Sequence, residues 1–143
     1  MLEHASDLKD LFIQISSKSA FPQVGWQDFS AWSNKTNIPD ARVGATTSII
    51  DTCFIAAKVE PVPVKGMSKE FLMRHKFLEL LVRISKCKYI ETNKESSVAR
   101  SFSRLMKDVI LKEHVWEPRM QFRREKLWTL DVDDVLKVNQ QGL

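Results

Sequence analysis

The chain has 143 residues, 43% hydrophobic against 28% charged, which is enough apolar material for one folded core and excludes a disordered tail. Its 4 Gly and 5 Pro exclude collagen-like and low-complexity chains, and no apolar run reaches the roughly 20 residues of a membrane span. The net charge of +4 is uneven: residues 1–60 carry 5 Lys/Arg against 7 Asp/Glu, whereas residues 61–143 carry 17 against 11.

The start, Met1 to Asp7, lacks the basic residues and apolar stretch of a secretory leader, which predicts a cytoplasmic location. Leu8, Leu11, Phe12 and Ile15 follow the i, i+3, i+4, i+7 spacing of an amphipathic helix, with Ser6 or Asp7 as its cap. Ser16 to Pro22 breaks it. A second helix is predicted from Trp26 to Lys35, with Phe29 and Trp32 on one face, ending before Pro39. A third covers Thr46 to Lys58, with Ile50, Phe54 and Ala57 inward. Val59 to Gly66, with Pro61 and Pro63, is an extended loop. A fourth helix is predicted from Ser68 to Tyr89 on the stripe Phe77, Leu80, Leu81 and Ile84, and a fifth from Ser97 to Glu113 on Phe102, Leu105, Met106 and Val109. Glu91 to Ser96 is a polar linker and Pro118 marks another loop. The last helix is Leu130 to Val138, with Thr129 or Asp131 as cap and Gly142 beyond its end. No alternating strand pair is present, so the fold class is all-α.

Three segments share one layout. A helix enters, a loop follows, and a lone apolar residue stands five positions before the first apolar residue of the next helix. These are Val24 before Phe29, Leu72 before Phe77 and Leu127 before Val132. The entering helices match at i, i+4, i+7: Leu8-Phe12-Ile15, Ile50-Phe54-Ala57 and Phe102-Met106-Val109. This layout resembles the EF-hand, in which one apolar loop residue bridges to the paired hand. The match is clearest at Val24-Gly25-Trp26-Gln27-Asp28-Phe29, where the family has its bridge residue, an acidic last ligand and a Phe. The other explanation of the spacing is an unrelated helical bundle. The resemblance implies paired hands, with Val24 and Leu72 serving each other, and an apolar groove offered to an amphipathic partner helix.

The loops depart from the calcium pattern. A calcium loop needs several oxygen ligands and a Gly at its bend. The first loop, Ser16 or Ser17 to Asp28, offers serines early, Phe21 and Pro22 near the bend, and one carboxylate, Asp28. The second is lengthened and ends on Lys76, a cation at the place of the decisive carboxylate. The third contains Arg119, Arg123, Arg124 and Lys126. Clustered positive charge repels calcium, so no metal and no cofactor are expected.

Among other candidates, Cys53 and Cys87 lie in apolar helical patterns and are expected to be buried free thiols. His4, His75 and His114 lack metal-ligand spacing and read as surface or helix-end residues. Asp131, Asp133 and Asp134 suit a helix N-terminus. Trp26 and Trp32 are six apart, so one of them should be partly exposed or line a groove. Trp116 and Trp128 flank the basic stretch Arg119–Lys126, where aromatics beside arginines grip a partner or clamp the loop to the core.

The sequence therefore predicts about six helices in one domain, with an EF-hand-like pair over 1–92 and a third helix–loop–helix over 93–143 folded back on it, as a monomer. The predicted function is a non-enzymatic, calcium-independent protein–protein interaction module. The resemblance implies a scaffold or adaptor role in a cytoskeletal or ciliary assembly. The partner would be an amphipathic helix or an acidic surface such as a microtubule, bound through Trp116, Arg119, Arg123, Arg124, Lys126, Trp128, Trp26 and Trp32. The rival is a small helical nucleic-acid-binding domain using the same basic half.

Overall fold

The computed structural model describes residues 2–18, 21–59, 70–116, 125 and 129–138. Helix α1 runs Ala5–Ser16 after a 3-10 turn, Leu2–His4. Helix α2 is Trp26–Lys35 and α3 is Thr47–Lys58. Helix α4, Arg74–Ser85, continues as a π segment, Lys86–Ile90. Helix α5, Val98–Leu105, continues through a π segment, Met106–Ile110, to a last turn, Leu111–Glu113. Helix α6 is Leu130–Val138. The described part is all-α and has no strand, only two isolated bridges.

One bridge organises the fold. Val24 and Leu72 face each other antiparallel, each N–H donating to the other's carbonyl at 2.9 Å. Both side chains are fully buried. Local sequence places them alike. Gly25 and Met73 take extended N-cap conformations, and α2 and α4 begin one residue later. Gly25 admits the close approach of Phe71, whose ring lies 3.2 Å from where a Cβ would stand.

Equivalent residues then exchange partners across the bridge. Phe12 of α1 packs on Phe77 of α4 at 5.6 Å between ring centroids, and Phe54 of α3 packs on Phe29 of α2 at 5.4 Å. One aromatic ring of each entering helix, α1 and α3, thus meets the exiting helix of the other unit, α4 and α2. Tilted aromatic pairs of this kind add about 0.5–1.5 kcal/mol beyond their burial.

Helix α5 closes the core. Phe102, Leu105, Met106, Val109 and Ile110 join the same buried cluster as Phe77 and Leu81. Ser85 and Ser101 meet through their hydroxyls at 3.4 Å, and the Arg104 guanidinium stacks 5.0 Å from the Tyr89 ring. The turn between α2 and α3 closes on itself. Asp40 and Ala45 bridge around a 3-10 turn, Ala41–Val43, and Gly44 adopts the left-handed φ of +74° that this reversal requires.

Several expectations need correction. Helix α4 starts at Arg74 and not at Ser68, because the bridge holds Leu72 extended. The residue at the N-cap of α1 is His4, with neither Ser6 nor Asp7 in that place. His4 and His114 stand at helix ends as expected, yet both are buried, whereas His75 is exposed. Cys53 is buried but Cys87 only partly so. The stripe expected on the last helix is not sealed: Val132 is half-buried and Val135 is 62% exposed. Leu127, the third expected bridge residue, lies outside the described residues.

Candidate interaction surface

Trp32 sits on the inner face of α2, 4% exposed, because Phe29 and Phe77 pack on its ring. Its indole N–H needs an acceptor once buried and donates to His114 Nδ1 at 3.1 Å. Tryptophan can only donate, so His114 carries its proton on Nε2. That nitrogen stands 3.0 Å from Gln14 Oε1 and donates to it. Gln14 Nε2 then donates to the Val115 carbonyl at 2.8 Å. The chain Trp32–His114–Gln14–Val115 therefore joins α2, the end of α5 and α1.

Trp116 closes this chain from outside. Its ring meets His114 edge-on at 4.5 Å, and the side chain is half-buried against the core. Beside it lies a cleft of about 190 Å³, floored by Trp32, Thr36 and His114 and rimmed by Lys18, Lys35 and Glu113. Val115 is 65% exposed at its edge. Trp26 lies at the other end of α2, half-buried, with its ring 5.1 Å from Phe54.

Of the residues read from sequence as partner-binding, the structure brings Trp32 and Trp116 together through His114, and separates them from Trp26 along α2. Arg119, Arg123, Arg124, Lys126 and Trp128 lie outside the described residues. His114 and Gln14 were missed. A lone His after a helix and a Gln on an amphipathic helix carry no spacing signal for each other at a separation of 100 residues.

The loop ends are equally specific. Lys76 stands in the first turn of α4. Its ammonium, on a side chain only 12% exposed, donates to the Val59 carbonyl and to Glu79 Oε2, both at 3.2 Å. Burial pushes the Glu79 carboxyl up, but hydrogen bonds from Arg83 and Lys76 outweigh it and hold the group below its ordinary range. Lys88 is a second internal cation. It is 5% exposed and donates to the Ile38 carbonyl at 2.9 Å, with burial lowering its pKa. Among the described residues, no three His, Cys, Asp or Glu side chains are grouped to hold a metal ion, and no helix is long and apolar enough to cross a membrane.

Comparison with protein-family models, with characterised proteins and with solved structures finds no match to this chain.

Proposed function

We propose that the protein is a non-enzymatic interaction module built on an EF-hand-like pair that holds its shape without calcium. The observation that carries this reading is the Val24–Leu72 bridge, with Phe12·Phe77 and Phe29·Phe54 exchanged across it. Two helix–loop–helix units joined at one apolar loop residue each are the arrangement the resemblance implies. Lys76 supports the absence of calcium. Its ammonium ties the end of α3 to the start of α4 through Val59 and Glu79, a covalently supplied cation in a loop where a free ion would otherwise do that work.

The partner surface is the C-terminal side. Trp116 is anchored by His114, Val115 is exposed, and the basic sequence Arg119–Lys126 follows directly. A half-buried aromatic next to arginines is the composition of an interface centre. An acidic partner in a cytoplasmic, cytoskeletal assembly fits that charge, and microtubule surfaces are acidic. Co-sedimentation with polymerised tubulin at low salt is the test. The protein should pellet with the polymer, and Arg123→Glu with Arg124→Glu should abolish this with less than about 0.5 kcal/mol change in stability. Absence of co-sedimentation by the folded wild type overturns the cytoskeletal assignment. Binding to nucleic acid instead, falling steeply with salt, would favour the rival reading.

A further inference from the structure

Cys53 projects from the middle of α3 and Cys87 from the π segment that extends α4, 34 residues apart in sequence. Their sulfurs are 3.8 Å apart. Both are free thiols. Cys87 also donates to Glu91 Oε1 at 3.6 Å. Its single proton is thereby engaged, which leaves Cys53 to donate to Cys87. Two thiols on facing elements at this distance have a high effective concentration toward each other. The bond requires the sulfurs to close to about 2.05 Å, a movement that rotation about the two side-chain torsions must supply.

We propose that Cys53 and Cys87 form a dithiol site that a small disulfide, glutathione disulfide in kind, converts to a cross-link between α3 and α4. Cys87, the partly exposed thiol, gives its proton to the Glu91 carboxylate and attacks one sulfur of the disulfide. The S–S bond of the oxidant breaks, one glutathione leaves as a thiolate and takes up a proton, and a mixed disulfide remains on Cys87. Cys53 then loses its proton to solvent and attacks Cys87 Sγ. The mixed S–S bond breaks and the second glutathione leaves. Two protein thiols are oxidised, and one disulfide is reduced to two thiols.

The burial of Cys53 fixes this order, since it is 7% exposed and out of reach of the oxidant. The surroundings also fix the pace. Burial, the neighbouring Cys53 and the Glu91 carboxylate push the Cys87 thiol up to about 12, so little thiolate exists at neutral pH and the site ignores brief exposure. The product closes a long loop, the case in which a cross-link constrains the unfolded chain most. It would fix the spacing of the two helices that flank the second loop.

The test is prolonged incubation of the full chain with glutathione disulfide, followed by mass spectrometry and thermal melting. The wild type should lose about 2 Da, yield a Cys53–Cys87 linked peptide, melt several degrees higher and revert with dithiothreitol. Cys53→Ser should retain one glutathione on Cys87, and Cys87→Ser should take up none while folded. Glutathione on both cysteines without a linked peptide overturns the proposal, as does wild type that stays fully reduced while its urea-unfolded form reacts.

Discussion

At single residues, three polar groups that are wholly or partly buried carry consequences that can be measured. Lys76 holds two partners at once, so Lys76→Met leaves the Val59 carbonyl without this donor and removes one of the cations beside Glu79. Val59 is exposed, so water can take the donor's place; the expected loss is about 0.5–1.5 kcal/mol, read from urea unfolding, and no measurable loss would mean that the ammonium holds nothing together. Trp32→Phe keeps the aromatic packing and deletes the donor to His114 Nδ1. It should cost about 1–3 kcal/mol, because a buried acceptor is left unpaired. The Cys87 thiol gives a pH signature. Its ordinary value is 9.0 and the folded value is about 12, so between those limits the folded chain keeps a proton that the unfolded chain releases. Its contribution to stability is complete below pH 9 and is lost as the pH rises toward 12. Urea midpoints of the wild type should therefore fall more steeply across that window than those of Cys87→Ala. Parallel curves would contradict the assignment.

At the scale of elements, the bridge and the exchanged aromatics make one cooperative unit. Val24→Ala and Leu72→Ala remove side chains that lie together where the loops cross, so their costs should not add. A double-mutant cycle should give a coupling of about 0.5–3 kcal/mol, and strict additivity would show that the loops are independent. Phe54→Ala and Phe77→Ala should each cost about 3–5 kcal/mol from the cavity left in the core. Much of this was legible in sequence. Helix α2 and helix α6 begin and end where apolar periodicity and flanking Pro or Gly place them, and Val24 and Leu72 stand out as apolar residues off the helical stripes. The start of α4 was not legible, because no Gly or Pro stands between Ser68 and Arg74 to mark it and only the pairing with Val24 holds that stretch extended. The contacts of His114 and the meeting of Cys53 with Cys87 were equally hidden. They depend on how distant elements dock, and both cysteines lie close to π segments or helix faces whose rotation periodicity does not fix.

At the scale of the whole molecule, α5 is part of the core of the first four helices. Met106, Leu105 and Ile110 are completely buried, and His114 and Val115 reach back to Trp32 and Gln14. A fragment ending near Asn93 would bare that surface at about 25 cal/mol per Å² of apolar area. It should therefore show no cooperative melting, whereas the full chain should sediment as a monomer and unfold in one transition. A fragment that melts as sharply as the full chain would make α5 an appendage.

We propose that the Val24–Leu72 bridge, the exchanged aromatics and the Lys76 ammonium hold the paired units together with no ion required. Calorimetric titration with calcium, paired with melting in calcium and in chelator, addresses it directly. No stoichiometric heat in the micromolar range and the same melting temperature in both conditions are expected. One micromolar site per chain with a raised melting temperature would contradict it.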